Sequence, residues 1–464
     1  MVAISKCMTR LNRRKFISLT GAAGAAGLAG CGGDGGDGSS GSDGSSGSDG
    51  SSGGSDGSSG SDGSSGGSDG GDGGSDGGDG GGGVEERDLQ IGTLLPASGQ
   101  LAGIGSTMVD AADLAFSVVD EGSEYFNVDA TFGDSQSTAS DGISAANNLA
   151  NAGVPAVVGG ASTNVHISAS EQVFIPNGMC ACSPSATAVT ISQIEDNGLL
   201  FRTTPSDALQ GQVMAQYATE ELGASTAAVL HVNDDYGSAL SGSFVSAFEE
   251  RGGTIQQEVS YETSAASYTS RIQTAVSGDP DMLAVVGYAE SGIQLFRDYY
   301  AQFSADRDIM TVDGLNTARV PNEVGRDMSN VVGTAPLVEG PGQETFNQLY
   351  RDAFDTAPGP FNPQTFDAAA VLMLANAAAG ENNGEAIAAE MQNVANEGEM
   401  EVTPDNLAEG VDAAAEGEDV VYAGASSQVD FDDNGDLTTG AYEIWAYAPD
   451  TERGIETIAE FNVS

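Results

Sequence analysis

The sequence predicts an α/β protein with two parallel β-sheets, each covered by helices on both faces. Short apolar segments alternate with amphipathic helical segments from Glu85 onward, a pattern typical of parallel sheets whose connections are helices. The alternation restarts after the segment Phe201-Arg202-Thr203-Thr204-Pro205, which indicates a second unit. At about 380 residues, this part of the chain is long enough for two sheets rather than one.

The first unit is predicted to follow the order β-α-β-α-β-α-β. Strands are predicted at residues 89–95, 128–132, 154–158 and 179–182, with helices at 107–120, 141–152 and 164–173 between them. The clearest helix is 107–120, because Met108, Ala111, Ala115 and Val119 fall on one face at helical spacing.

The second unit begins after residue 205 and repeats the alternation. Helices are predicted at residues 208–222, 241–251, 268–276 and 293–303, and strands at 227–232, 255–261, 283–286 and 309–312. Trp445 alternates with apolar neighbours and is predicted to lie in the core.

The charge of the chain limits its partners. Its 464 residues include 68 Asp and Glu against 15 Lys and Arg, a formal net charge of −53. Because a strongly anionic surface repels phosphate backbones, no nucleic-acid partner is expected.

The acidity extends over the predicted globular part. From Val84 onward there are 58 acidic residues and ten basic ones, all arginine, a net charge of about −48. Molar salt shortens the Debye length to about 3 Å and removes most of the self-repulsion. We therefore expect an extremely halophilic cell. The alternative, an acidic disordered protein, is disfavoured by the well-formed apolar segments after Val84.

The amino-terminal segment indicates export. Arg13 and Arg14 form a twin-arginine pattern, followed by a short Gly/Ala-rich stretch and Leu28-Ala29-Gly30-Cys31. Residues 1–31 therefore resemble a Tat-exported lipoprotein signal that ends at a lipidated Cys31. No later segment is apolar enough to be expected to cross a membrane. The protein is expected to be lipid-anchored on the extracellular face of the cytoplasmic membrane.

Residues 32–84 are predicted to be a disordered tether. Residues 32–83 contain only Gly, Ser and Asp, so they have no apolar groups to offset the entropy lost on ordering. A flexible coil of this length spans on the order of 40 Å.

Several classes of enzyme lack their characteristic residues. No lysine follows Lys15, which excludes a P-loop lysine and a Schiff-base lysine from the globular part. After Val84 there is no Gly-x-Ser-x-Gly motif, and His166 and His231 are isolated, so a hydrolase triad lacks its local signature. The protein is therefore predicted not to be an enzyme.

Two motifs resemble metal sites but are not expected to bind a metal. The segment Asp430-x-Asp432-x-Asn434-Gly435 imitates the first half of an EF-hand loop, but the twelfth position is Ala441 rather than Glu. Cys180 and Cys182 alternate along a predicted strand without zinc-ligand spacing, which favours two buried thiols over a metal site or a disulfide. No metal and no cofactor is expected.

A series of short motifs resembles one protein family. The motifs are Ile91-Gly92-Thr93-Leu94-Leu95-Pro96-Ala97-Ser98-Gly99, Val157-Val158-Gly159-Gly160-Ala161-Ser162-Thr163, Ser183-Pro184-Ser185-Ala186-Thr187, Phe201-Arg202-Thr203-Thr204-Pro205, Asp234-Asp235-Tyr236-Gly237 and Phe431-Asp432-Asp433-Asn434-Gly435-Asp436. In these motifs, which occur in family order over residues 88–461, the chain resembles the extracytoplasmic leucine/isoleucine/valine-binding proteins of ABC importers.

The resemblance implies a type I periplasmic-binding-protein fold, in which two doubly wound parallel-sheet lobes are joined by three crossovers and close on a ligand. The crossovers are expected near Pro205, Pro336 and Val429. The first lobe would then comprise residues 85–204 and 337–428, and the second 205–336 and 429–464.

The resemblance also implies a ligand site at the ends of the strands. A ligand carboxylate suits hydroxyls and free backbone N–H groups at a helix N-terminus, whereas an ammonium needs a carboxylate. The expected ligand-binding residues are Ser162, Thr163, Ser185, Thr187, Tyr236, Tyr288 and Asp313. Helix capping by the serines and threonine and an ordinary turn at Asp313-Gly314 are the structural alternatives.

Three functional classes follow from this reading. The first is a substrate-binding lipoprotein that delivers a branched-chain or related amino acid to ABC permease and ATPase subunits; amides, urea-like compounds and aromatic acids are alternative ligands. The second is a ligand sensor of the same fold. The third, a surface hydrolase, has no nucleophile motif to support it.

Overall fold

The computed structural model describes residues 84–451 and 453–463. Arg13, Arg14, Cys31 and the Gly/Ser/Asp segment up to residue 83 lie outside the described residues, so the predicted export signal and tether stay predictions. The described part contains two large β-sheets and a small two-stranded one.

The first sheet is parallel throughout, with the strand order β2-β1-β3-β4-β5. Its strands are β1 (Arg87–Leu95), β2 (Phe126–Asp134), β3 (Ala156–Gly159), β4 (Cys180–Ser183) and β5 (Leu200–Arg202), and the helices between them are α1 (Ala102–Gly122), α2 (Ala139–Asn151) and α3 (Thr163–Ala169). All residues of β3 and β4 are buried, as expected for parallel strands covered on both faces.

The second sheet has seven strands in the order β14-β13-β10-β9-β8-β6-β7. Its parallel part comprises β6 (Thr226–Val232), β7 (Thr254–Tyr261), β8 (Met282–Val286), β9 (Asp308–Thr311) and β10 (Val331–Pro336), with α4 (Asp207–Glu220), α5 (Asp235–Glu250), α6 (Thr269–Ala275), α7 (Ala289–Gln302) and α8 (Arg319–Val324).

The chain then returns to the first sheet before completing the second. The returning segment contains α9 (Gln343–Phe354), α10 (Asn362–Ala379), α11 (Gly384–Ala395), β11 (Met400–Val402), α12 (Leu407–Glu416) and β12 (Val420–Tyr422), and β13 (Gly440–Tyr447) and β14 (Ile455–Val463) end the second sheet. We call the first sheet with its helices lobe 1 and the second sheet with its helices lobe 2. Residues 203–206, 337–342 and 423–439 connect the lobes.

The predicted α/β fold class is confirmed, with one difference in lobe 2. Strand β13 pairs antiparallel with both β10 and β14, so this sheet is mixed rather than purely parallel. Trp445 lies in β13 and is fully buried, as predicted. Cys180 and Cys182 are buried free thiols in β4, which agrees with the favoured interpretation of that pair.

Helix α1 differs from the expectation about apolar segments. Among the described residues, it is long and apolar enough to cross a membrane by length and composition. In the structure it packs in the core of lobe 1, where Met108, Ala111, Ala112, Ala115 and Val119 are almost completely buried. Its apolar character is therefore accounted for by packing within the lobe.

Candidate functional site

A cavity lies between the two lobes where the parallel strands end. It encloses an empty volume of about 420 Å³, including space open to solvent. Its walls are formed by Pro96, Leu101, Ile104, Gly105, Met108, Ala161, Ser162, Thr163, Ser185, Tyr236, Tyr288, Asp313, Gly314 and Phe361. The loops after β1, β3, β4, β6, β8 and β9 all contribute, and ligands of α/β sheets bind at this edge.

The lobe 1 wall presents three hydroxyl groups. Ser162 precedes α3 at its N-cap position, but its side chain makes no capping hydrogen bond. Among the described residues, the hydroxyls of Ser162 and Thr163 have no hydrogen-bond partner although both are buried. The hydroxyl of Ser185 donates to the Ala161 carbonyl oxygen at 2.7 Å, which holds the two strand-end loops together. The unpartnered hydroxyls are therefore the groups that a ligand could satisfy.

The lobe 2 wall presents two stacked aromatic rings. Tyr236, in the first turn of α5, and Tyr288, before α7, have ring centroids 5.6 Å apart with planes inclined by 21°. The Tyr288 hydroxyl donates to Asp234 Oδ2 at 2.8 Å, and the Tyr236 hydroxyl donates to Asp313 Oδ1 at 3.2 Å. Burial raises the pKa of both phenols well above the ordinary value, so both remain hydrogen-bond donors.

Asp313 is a buried carboxylate on the same wall. Oδ1 also accepts from Gln210 Nε2 at 2.8 Å, and burial raises the pKa of Asp313 despite these two donors. No Arg or His within the described chain is among the groups that shift its pKa. A buried carboxylate without a cationic partner suits a ligand ammonium, which would supply the missing charge.

The turn at Asp313 and Gly314 requires glycine at position 314 for a steric reason. A Cβ at Gly314 would lie 2.3 Å from the Gly287 carbonyl oxygen, so the loop after β8 leaves room only for glycine. The turn is thus explained by Gly314, and Asp313 remains available to the cavity.

The structure places Thr187 apart from the other predicted site residues. Thr187 is buried but does not line the cavity; its carbonyl oxygen accepts from the Asp207 N–H at 2.8 Å. This contact joins the loop after β4 to the start of α4. The structure thus places Thr187 beside Asp207 and outside the cavity lining, and its predicted contact with a ligand stays a prediction.

Two residues near the site were not predicted from the sequence. Phe361 comes from the loop before α10 and closes one side of the cavity. Gln210 lies on α4 and orients Asp313, and its Nε2 also donates to Thr334 Oγ1 at 3.0 Å. Neither follows a strand of the parallel alternation, so the signal that located the other residues could not reveal them.

Asp207 is an additional buried carboxylate behind the site. Among the described residues, neither of its oxygens has a partner at full hydrogen-bond geometry, but the Thr187 hydroxyl is close enough to favour the ionised carboxylate. Burial and the neighbouring Asp313 raise the pKa of Asp207 to about 8, with the nearby Thr187 hydroxyl and Arg202 acting in the opposite direction. In the folded protein Asp207 therefore keeps its proton up to a pH of about 8. In the unfolded chain the same carboxyl group loses its proton in mildly acidic solution.

Asp207→Asn should flatten the pH dependence of stability. Because the pKa is higher in the folded state, the free energy of unfolding falls as pH rises from about 4 toward 8, by up to about 1.4 kcal/mol per pH unit. Asparagine removes this titration, so the variant should be more stable than the parent protein at pH 8. Urea midpoints in molar KCl between pH 5 and pH 8 measure the slope.

Asp235→Asn is the matched control for this measurement. Asp235 occupies the same first position of α5 as Asp207 does of α4, but it is exposed. Its variant should keep the parental slope. An unchanged slope in Asp207→Asn would contradict the protonated, buried carboxylate.

Two lobes around a cavity at the strand ends define a two-lobed ligand-binding protein. The chain belongs to the periplasmic binding protein family, which it matches over residues 88–404. The family and the fold are those of substrate-binding proteins.

Individual relatives agree with this family. The Leu/Ile/Val-binding protein homolog 3 of Brucella melitensis is 29% identical over 222 residues, covering 46% of this chain and 55% of that protein. The chain thus spans about half the length of that curated relative. The chemotactic signal transduction system substrate-binding protein BasB of Halobacterium salinarum is 24% identical over 379 residues, 79% of this chain and 88% of that protein.

A solved structure supports the same architecture. The branched-chain amino acid transporter substrate binding protein LivJ from Streptococcus pneumoniae, in complex with isoleucine, superimposes with a TM-score of 0.66 at 20% identity. The superposition covers 81% of this chain and 99% of LivJ. At this identity the likeness concerns the fold.

Proposed function

We propose that this protein is the substrate-binding component of an ABC importer and captures a branched-chain or related amino acid between its lobes. The proposal rests on the complementary polar groups that the two lobes present to one cavity. The unpartnered hydroxyls of Ser162 and Thr163 lie on lobe 1, and the uncompensated carboxylate of Asp313 lies on lobe 2. An α-amino acid carries the two charges that complement them.

The remaining walls suit an apolar side chain. Leu101, Ile104, Met108 and Phe361 contribute hydrocarbon surface, and the two tyrosine rings line the same cavity. The ligand carboxylate would bind at Ser162, Thr163 and Ser185. Because the hydroxyls and the carboxylate belong to different lobes, a bound amino acid would hold the lobes together, and this closure is the conformation that a permease would recognise.

The relatives support this ligand class. The Brucella protein is named for leucine, isoleucine and valine, and LivJ was crystallised with isoleucine. We expect binding and release rather than chemistry at the cavity, because the family and the fold are those of substrate-binding proteins.

Mass spectrometry of ligand released from protein purified in molar KCl tests the proposal. An amino acid with an apolar side chain is the expected result, and calorimetry with L-leucine and L-isoleucine should then give saturable binding. Release of an amide or an aromatic acid, with no binding of either amino acid, would replace the proposed ligand class.

Membrane attachment is part of the proposal. We propose that Arg13 and Arg14 direct export and that Cys31 carries the lipid, so that the permease lies within reach of the tether. Cys31→Ser should move the protein from the membrane fraction into the medium, because a tether of Gly, Ser and Asp has no apolar group of its own. Immunoblots of the two fractions measure the shift.

A lysine pair in place of the arginines is the companion variant for export. Arg13→Lys with Arg14→Lys should leave the precursor inside the cell, whereas Cys31→Ser should still be exported. A Cys31→Ser protein that stays in the membrane fraction would contradict lipid anchoring.

A sensor role is the second candidate. It is favoured by the similarity to the Halobacterium protein, which is named for chemotactic signal transduction. Deletion of the gene separates the two roles. Loss of radiolabelled leucine uptake with intact chemotaxis supports the importer, and the reverse outcome supports the sensor.

A further inference from the structure

A second chamber adjoins the cavity of the candidate site. It has an empty volume of about 860 Å³, including space open to solvent, and lies between α9 of lobe 1 and the ends of β10, β13 and β14 of lobe 2. Asp313 and Phe361 line both spaces. Both spaces therefore border Asp313, the carboxylate proposed to bind the α-ammonium of the ligand.

Phe361 forms the partition between the two spaces. Its φ of 61° places it in the left-handed region, which is rare for a bulky residue. The backbone is held there because its carbonyl oxygen accepts from both the N–H and the hydroxyl of Thr365, at 2.9 and 2.7 Å. The first turn of α10 thus fixes the backbone of Phe361, whose side chain lines both spaces.

A second buried carboxylate, Glu443, lines the chamber together with Asp313. The Asn316 N–H donates to the Asp313 carbonyl oxygen at 2.9 Å, and Asn316 Nδ2 donates to Glu443 Oε1 at 3.5 Å. Glu443 is only 5% exposed. Arg453 Nη2 lies 3.9 Å from Glu443 Oε1, and the Arg453 side chain is 44% exposed. This ion pair is therefore long and open to solvent.

The chamber also contains polar groups with unused acceptor capacity. Among the described residues, Asn316 Oδ1 and Gln364 Oε1 are buried and lack hydrogen-bond partners. Both side chains line the chamber. Two arginines, Arg351 and Arg453, line the same chamber, and the Thr457 hydroxyl donates to Glu443 Oε2. The part of the chamber around Glu443, Asn316 and Gln364 therefore favours a group that donates hydrogen bonds, and Glu443 is the carboxylate there that a positive charge could approach.

We infer that the chamber is a second subsite that receives a residue attached to the α-nitrogen of the ligand, so that the ligands of this protein include dipeptides with an apolar carboxyl-terminal residue. The inference rests on the proposed function, because it uses the same carboxylate and side-chain positions for that terminal residue. The peptide N–H would donate to Asp313. The terminal ammonium would lie toward Glu443, because consecutive Cα atoms are about 3.8 Å apart and the side chain of Asn316, three residues after Asp313, contacts Glu443.

Calorimetry of the full chain in molar KCl tests the inference with three probes. Glycyl-L-leucine should bind at least as tightly as L-leucine. Glu443→Gln should weaken glycyl-L-leucine by about tenfold or more and leave L-leucine and N-acetyl-L-leucine unchanged, because neither of these places an ammonium in the chamber. Glu456→Gln, an exposed carboxylate on β14, is the matched control and should change none of the three.

The outcomes distinguish this inference from the proposed function. If L-leucine binds and glycyl-L-leucine is weaker by about a hundredfold, the subsite is overturned and the proposed function stands. Equal weakening of all three probes by Glu443→Gln would also overturn it, since the residue would then act on the whole cleft. If neither leucine nor the dipeptide binds, the proposed function fails and the subsite fails with it. The comparison of glycyl-L-leucine with N-acetyl-L-leucine in the unmutated protein provides a readout that does not depend on a variant folding.

Discussion

Asp313→Asn should weaken binding of L-leucine by about thirtyfold or more. Removing one member of a buried charge pair costs on the order of 2 to 5 kcal/mol, because the other charge is left without a partner. Asparagine preserves the shape of the side chain and can still accept from Gln210, so the fold should be retained. Calorimetry in molar KCl, with circular dichroism of the variant, measures both effects.

The affinity for leucine should also fall as pH is lowered. Burial raises the pKa of Asp313 in the protein without ligand, whereas a ligand ammonium requires the ionised form. Binding must therefore release a proton from the carboxyl group at low pH, and this cost grows as pH decreases through the raised pKa. In Asp313→Asn this pH dependence should be absent.

Asp308→Asn is the matched control for these measurements. Asp308 begins β9, the same strand that leads to Asp313, but it is exposed at the opposite end. Its variant loses the same charge and should bind leucine as the parent protein does. If Asp313→Asn binds leucine with unchanged affinity, the ammonium assignment is wrong and a ligand without an amino group takes its place.

The strand-end residues were predictable because their positions depend on one rule. Ser162, Ser185, Tyr236, Tyr288 and Asp313 each follow a strand whose apolar run is visible in the sequence. Parallel strands present their carboxyl ends at one edge, so these residues were expected near a common site, and they all line the cavity. The family motifs supplied the choice among the residues at each strand end.

Thr187 shows the limit of that rule. It follows β4 only two residues after Ser185, and its residue type suits either a ligand or a buried contact. The contact between its carbonyl oxygen and the Asp207 N–H depends on how the chain enters lobe 2. No local pattern encodes this entry.

Helix α10 and Phe361 were missed for a different reason. Asn362 to Ala377 are buried without interruption along α10, so the helix has no polar face and no amphipathic period from which to predict it. Phe361 immediately precedes this helix. Its place in the cavity therefore depended on an element that the apolar pattern could not reveal.

The unfolding midpoint should rise steeply with KCl concentration. A net charge of about −48 from Val84 onward gives strong self-repulsion when the Debye length is long, and ten arginines cannot pair with 58 carboxylates. Screening shortens this length from about 30 Å at 0.01 M to about 3 Å at 1 M. Thermal unfolding followed by circular dichroism, from tens of millimolar to several molar KCl, measures the dependence.

Neutralising a local acidic cluster should reduce the salt requirement. Glu397, Glu399 and Glu401 are exposed and close in sequence, so replacing all three with glutamine removes mutual repulsion without disturbing the core. The triple variant should be more stable than the parent protein in low salt and nearly equal to it in molar KCl, where screening has already removed that repulsion. Sucrose, which is uncharged, should not reproduce the effect of KCl on the difference between the two proteins. A difference that is the same at every salt concentration would contradict electrostatic repulsion as its source, and a parental midpoint that stays flat across the range would contradict adaptation to high salt.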